Sequence, residues 1–306
     1  TISLQELYET VTKNKTIRNK SDANNIKRAF GLLAECVPDA NTSNFDIESL
    51  IVFQRFLSQE KKYARIYCNK LVNFVRYIFK WGGIFKLVSP FVVHSLKLIP
   101  PVAIGDAKEN PPRKEVPQND IELVLESLPK KISDMLRLMQ LTAMRPSEVF
   151  QMKIGDIDMK WDNDDWLYSP PKHKTTWRGK NRAIILGSEE QDILEKYLNG
   201  DPEKNIFLNQ KGNPFNTSTF DKAISKIIKK KKLPKFTPYQ LRHTSLTNIS
   251  AEHGRDVARA VAGHCSEIIT GVYDHSDLRK FKTVVDSRKK NNTPFTRSTL
   301  KIFTGE

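Results

Sequence analysis

The stretch Thr237–Ser276, TPYQLRHTSLTNISAEHGRDVARAVAGHCSEIITGVYDHS, decides how the rest of the chain is read. Its punctuation predicts one helix over Pro238–Glu252, a break at Gly254 and a second helix over Arg255–Ala262. A third follows the Gly263-His264 turn, from Ser266 towards Tyr273. That arrangement sets Arg242, His264 and Tyr273 at or near element ends, where polar groups can converge on one ligand. Tyr239 lies three residues before Arg242. The composition says what kind of ligand. The chain has 306 residues, 39% of them apolar, and a formal charge of +15, enough length for two domains and a balance that suits a polyanion. Nucleic acid is the leading candidate. No run of eighteen apolar residues and no secretory leader is visible, so a non-membrane, non-secreted protein is expected. Cys36, Cys68 and Cys265 are far apart and lack CxxC spacing, which fits a reducing compartment and argues against a disulfide frame or a structural zinc.

Outward from that stretch, residues 1–100 read as an all-helical domain. Apolar residues recur at three-to-four spacing in Ile2–Lys13, Ser21–Val37, Asp46–Gln59 and Lys61–Trp81. In the last of these, Tyr67, Leu71, Phe74, Val75, Ile78 and Phe79 form one face, and Lys61, Lys62, Arg65, Lys70, Arg76 and Lys80 occupy the others. Residues 1–100 hold 15 Lys and Arg against 8 Asp and Glu, a denser excess than in the remainder, as expected of a domain that grips phosphates. Lys61, Lys62, Arg65, Arg76 and Lys80 are therefore DNA-binding candidates, although any single lysine on such a face also serves as a solvated flank. Pro100, Pro101, Pro111, Pro112 and Pro117 then mark residues 101–117 as a linker.

The second domain, 118–306, opens at Asn119-x-x-Glu122, a capping-box-like helix start, and continues through a helix with Ile132, Met135, Leu136, Leu138, Met139 and Leu141 on its core side. In TAMRPSE, Pro146 suits a first helical turn, so Arg145 is aimed by the turn just ahead of it; pairing with Glu148 is the competing role. Trp166–Tyr168 and Arg182–Leu186 read as strands joined by the basic loop PPKHKTTWRGKN. That loop brings Lys172, His173, Lys174, Trp177, Arg178 and Lys180 together, with Arg182 at its far edge, a mixture suited to nucleic acid. Helices return at Ser188–Leu198 and Ser218–Leu233. The lysine run at the end of the second one, Lys229 to Lys232, is explained by the helix dipole alone. Asp277–Lys290 reads as a final helix, and the tail, about 291–306, carries Phe295, Leu300, Ile302 and Phe303 with little chain nearby to bury them.

Arg145 in TAMRPSE, Lys174 on a hairpin, Arg242 in YQLRHT, His264 in AGH and Tyr273 nine residues later together resemble the tyrosine recombinase, or phage integrase, family. SPPKHKT, PYQLRHT and the AGH-to-VYDHSD stretch are most similar to integrases of bacterial mobile elements. The resemblance covers nearly the whole chain. It implies a mainly α fold with a small β-sheet: a helical, SAM-like core-binding domain and a mixed α/β catalytic domain closing on duplex DNA. It also implies site-specific cutting and rejoining through a 3′-phosphotyrosyl intermediate, without metal, ATP or any other cofactor. Arg145 and Arg242 would hold the scissile phosphate, Tyr273 would be the nucleophile, Lys174 would protonate the leaving oxygen, and His264 would assist. Where the family often has His or Lys, this chain has Tyr239, which can donate a hydrogen bond but cannot act as an imidazole-like base. Also implied are a dimer or tetramer on DNA linked by exchange of the tail, a DNA-bending accessory protein, and a bacterial cytoplasmic, nucleoid-associated location. A type IB topoisomerase-like nicking–closing enzyme and a non-catalytic DNA-binding regulator are the rival readings.

Overall fold

The computed structural model describes residues 1–15, 20–112, 114–162, 164–171, 182–263 and 275–291. The chain divides into two compact units, Thr1–Pro112 and Arg113–Glu306, with the division inside the proline-rich stretch. Each unit has its own core. No described helix is long and apolar enough to cross a membrane.

The first unit holds α1 (Leu4–Asn14), α2 (Lys20–Cys36), α3 (Ile47–Arg55), α4 (Arg65–Ile84) and α5 (Pro90–Leu98). Helix α4 buries Cys68, Leu71, Val72, Val75, Ile78 and Phe79, and large side chains of this kind contribute about 1.5–3 kcal/mol each when fully buried. Three details differ from the sequence expectation. Helix α3 ends at Arg55 and runs into a π turn, Phe56–Glu60. Lys61 and Lys62 lie in the break after that turn, with Lys62 at a φ of 51°, so α4 begins at Arg65 rather than at Lys61. Helix α5, capped by the Ser89 hydroxyl with Pro90 in its first turn, was not foreseen. The start of the expected linker belongs to this unit: Val102 is buried and exchanges backbone bonds with the Asn69 side chain at 2.8 and 3.1 Å, and the Arg65 N–H donates to the Lys108 carbonyl.

The second unit begins with α6 (Gln118–Ser127), whose N-cap is Pro117, so Asn119 stands inside the helix and caps nothing. It continues through α7 (Lys130–Thr142) and the one-turn α8 (Pro146–Phe150). Strands β1 (Ile157–Asp162), β2 (Asp165–Tyr168) and β3 (Ile184–Leu186) form an antiparallel sheet in the order β1-β2-β3. The β2–β3 pairing sets Trp166 opposite Leu186 and Tyr168 opposite Ile184, so β2 and β3 are the strands the hairpin reading proposed, and β1 is an addition to them. Helices α9 (Ser188–Leu194), α10 (Thr217–Lys231), α11 (Pro238–His253), α12 (Arg255–Ala262) and α13 (His275–Asn291) complete the unit.

Candidate active site

The site is assembled where three element ends meet. Helix α7 stops at Ala143, which adopts the left-handed conformation at a φ of 50° and turns the chain away so that Arg145 precedes α8. Pro146 supplies a preset first turn, and the Glu148 carboxylate reaches back to accept the Arg145 N–H at 2.7 Å. The second oxygen of Glu148 accepts from Arg145 Nη1 at 2.9 Å. Tyr168 of β2 is fully buried and donates its hydroxyl to the Glu148 carbonyl at 2.7 Å, locking α8 to the sheet. Burial pushes the Tyr168 hydroxyl above its ordinary range, so it stays a neutral donor.

Arg242 comes from the opposite direction. Thr237 caps α11 and Pro238 fills its first position, which fixes the helix start and sends Arg242 inward from the second turn. Arg242 is 6% exposed. Its Nη1 donates to the carbonyl of Ala143, and its Nη2 to that of Ala262 at 3.0 Å. The guanidinium therefore bridges the end of α7 and the end of α12, with its plane set by two backbone acceptors. Beside it, the Thr244 hydroxyl accepts the Val116 N–H at 2.9 Å and ties the start of the unit to α11.

Glu148 is completely buried, and three guanidinium groups act on it: those of Arg182, Arg145 and Arg242. Burial alone would raise its pKa, but Arg182, the Arg145 N–H, and the charges of Arg145 and Arg242 together hold the carboxyl below its ordinary 4.5. Arg242 is pulled down to about 10, first by burial and then by repulsion from Arg145, with Glu148 opposing and Arg182 adding to the fall. It remains a cation at neutral pH. Among the described residues, three cations stand against one carboxylate in a water-poor place, an arrangement that an oxyanion ligand relieves.

A groove of about 550 Å³ opens beside Arg242, between one face of α11 and one of α12. Tyr239, Arg242, His243 and Leu246 of α11 line it together with Arg255 and Arg259 of α12. Tyr239 is 43% exposed, next to the Arg242 guanidinium that it electrostatically favours. His243 is exposed and shares a hydrogen bond with the Thr247 hydroxyl at 3.2 Å.

Of the expected catalytic residues, Arg145 and Arg242 share the Glu148 site, and Tyr239 stands next to Arg242. Lys174, His264 and Tyr273 lie outside the described residues, as do Lys172, Trp177 and Arg178. The helix that follows Tyr273 is firmly seated. In α13, Lys282 pairs with Asp162 and with Asp165 at 3.3 Å, Arg288 donates to the buried Glu190 at 2.8 Å, and Val285 packs where Gly187 leaves room.

Sequence reasoning treated Glu148 only as a helix-start acid or partner of Arg145. The i,i+3 spacing in RPSE signals that much; its burial beneath Arg182 and Arg242 depends on residues far along the chain. Arg182, grouped with the loop cations, is instead 5% exposed and part of this centre.

The first-unit cations divide by partner. Arg76 is committed to the fold: Nε donates to the Leu96 carbonyl at 2.9 Å and Nη2 to that of Ile99 at 2.6 Å, holding the end of α5. Lys61 pairs with Glu35 at 2.6 Å, and Arg65 pairs with Glu109. Lys62 and Lys80 are exposed.

The fold is that of solved integrase structures. The overall fold is shared with the Tn1549 transposon integrase in complex with circular intermediate DNA (TM-score 0.69, 15% identity, 91% of this chain and 99% of that one). It is shared also with a lambda integrase dimer bound to a COC′ core site (TM-score 0.66, 15% identity, 89% and 98%). The sequence profile of the phage integrase family matches residues 115–280, and the chain belongs to that family. Among curated relatives, tyrosine recombinase XerD of Halalkalibacterium halodurans is 27% identical over 161 residues, 49% of this chain and 51% of its own. XerC of Thermodesulfovibrio yellowstonii is 25% identical over 311 residues, 92% and 95% of the two chains. Against the XerD relative, the chain spans about half the relative's length.

Proposed function

We propose that this chain is a site-specific DNA recombinase that integrates or excises a mobile element by cutting and rejoining DNA through a 3′-phosphotyrosyl intermediate. The observation that carries the reading is the Arg145–Glu148–Arg242 centre: two guanidinium groups held by a buried carboxylate and by backbone carbonyls, inside the unit matched by the integrase profile. Arginine forks suit the two non-bridging oxygens of a phosphodiester and keep their charge while negative charge builds in the transition state.

In this reading the Tyr273 phenolate oxygen attacks phosphorus, a P–O bond to Tyr273 forms and the P–O5′ bond breaks. Lys174 gives its proton to the departing 5′-oxygen, and His264 hydrogen-bonds the phosphate or takes the tyrosine proton. The bond energy stays in the phosphotyrosine, so the freed 5′-hydroxyl of a partner strand reverses the step without ATP. Tyr239 donates to the phosphate side from the groove wall. Lys62 and Lys80 of the first unit, with Lys172, Trp177 and Arg178 of the hairpin, grip the DNA backbone. Assembly is a dimer or tetramer on DNA, in the manner of the lambda integrase dimer bound to a COC′ core site and the lambda integrase tetramer bound to a Holliday junction, with exchange of the tail, about 291–306, between copies and DNA bending by an accessory protein. The place of action is the cytoplasm, on nucleoid DNA.

The test is incubation with a nicked suicide duplex carrying the element's own junction, followed by a denaturing gel. A covalent adduct that Tyr273→Phe abolishes while binding persists supports the reading. Binding without any adduct from the wild type on that junction refutes it.

A further inference from the structure

Arg182 is the one member of the arginine centre that the phosphate chemistry leaves without a task. It is 5% exposed and does not line the groove that opens beside Arg242. Its Nε lies 3.6 Å from Glu148 Oε1, an ion-pair distance on the carboxylate that also holds Arg145. Its other side lies against Gly263. A Cβ at Gly263 would stand 2.9 Å from Arg182 Nη1, 3.1 Å from Cδ and 3.3 Å from Cζ, so nothing larger than hydrogen fits there while the arginine stays in place. Gly263 ends α12 in the left-handed conformation, at a φ of 67°, with its N–H on the Ala260 carbonyl at 2.9 Å. The preceding residue, Ala262, presents the carbonyl that orients Arg242. The following residue is His264.

We propose that Arg182 is a positioning residue: a buried strut between Glu148 and Gly263 that sets the spacing between the phosphate-binding arginines and the chain leading to His264 and Tyr273. This rests on the recombinase reading. A guanidinium suits the role because it is planar and rigid at its head, charged at any working pH, and able to meet a carboxylate with one edge while its flat face lies against a backbone. Lysine keeps the charge but lacks that plane and fork. A strut of this kind affects the bond-breaking step through geometry, and a displacement of about 1 Å costs on the order of 100-fold in rate. Affinity for the duplex, dominated by surface phosphate contacts, is left largely intact.

The experiment compares wild type, Arg182→Lys, Gly263→Ala and the double variant on the suicide duplex, measuring the single-turnover rate of adduct formation, the dissociation constant at fixed salt, and the melting temperature. Arg182→Lys is expected to fold and to bind within a few-fold of wild type but to cleave roughly 100-fold more slowly. Gly263→Ala is expected to cleave slowly as well. At a φ of 67° an alanine is strained in its backbone, and its Cβ also meets Arg182, so the melting temperature reports the first effect and the single-turnover rate at matched folding the second. Lysine has no atom in place of Nη1, which removes the shortest contact while leaving that at Cδ, so the double variant is expected to lose less than the product of the two single losses. Multiplied losses, a wild-type cleavage rate for Arg182→Lys, or failure of Arg182→Lys to fold would each overturn the proposal, the last by making Arg182 a stability residue. Absence of adduct from the wild type would instead overturn the recombinase reading, and this inference with it.

Discussion

Replacing Glu148 by glutamine keeps the shape of the side chain and removes its charge from the centre of the site. In the wild type the carboxylate is fully buried, accepts Arg145 Nη1 at 2.9 Å and the Arg145 N–H at 2.7 Å, and lies 3.6 Å from Arg182 Nε. Removing one member of a buried ion pair costs about 3–5 kcal/mol, because the remaining charge has lost its compensation. The lower end applies here. Glutamine retains a carbonyl oxygen for the Arg145 N–H, and the Arg145 side chain keeps 16% of its exposure to water. A loss of about 3 kcal/mol is expected, which for a unit of this size is a fall of roughly 6–12 °C in melting temperature.

The pH dependence follows from the same contacts. The Glu148 carboxyl is held below its ordinary 4.5 in the folded state, so as the pH falls through that value the unfolded chain takes up the proton first. The contribution of Glu148 is complete above about pH 4.5 and is lost progressively below it, whereas the glutamine variant lacks that acid limb. Urea unfolding from pH 7 down to pH 3, paired with adduct formation on the suicide duplex, measures both consequences. A destabilisation under about 1 kcal/mol together with cleavage within a few-fold of wild type would refute the idea that Glu148 holds the arginines.

Other substitutions separate fold from function. Arg76→Ala removes bonds to the Leu96 and Ile99 carbonyls, so about 2–3 kcal/mol of stability is expected to go while the salt dependence of DNA binding is unchanged. Lys80→Ala should do the reverse, leaving the melting temperature in place and reducing the salt slope by about 1. Arg288→Met deprives the buried Glu190 of its 2.8 Å partner and should cost about 3 kcal/mol by calorimetry; Glu190→Gln in the same chain should recover part of it. Tyr239→Phe, at a half-exposed position, should melt as the wild type does and slow cleavage by about tenfold, the worth of one hydrogen bond to the phosphate.

The sequence was readable where the signal is local. Thr237 followed by Pro238 starts α11, and Gly254 separates it from α12 at a φ of 88° that favours glycine. Arg145 was placed by Pro146, and the β2–β3 pairing by two apolar runs either side of a basic loop. The signal weakened where the outcome depends on distant partners. In β1 only Ile157 is fully buried, so its alternation was too faint to mark a strand. Lys61 and Lys62 look helical by spacing, but the π turn and a left-handed residue interrupt the run. Arg182 carries no local mark of burial, because what encloses it, Glu148 and Gly263, comes from other parts of the chain.

The central claim is that this arginine centre serves a tyrosine nucleophile at position 273. Mass spectrometry of the covalent adduct after nuclease digestion locates the modified residue directly. The expected result is a nucleotide remnant joined through a 3′-phosphate to Tyr273 alone; attachment to Tyr239, or a complex with its cognate junction that forms yet yields no adducted peptide, would contradict it.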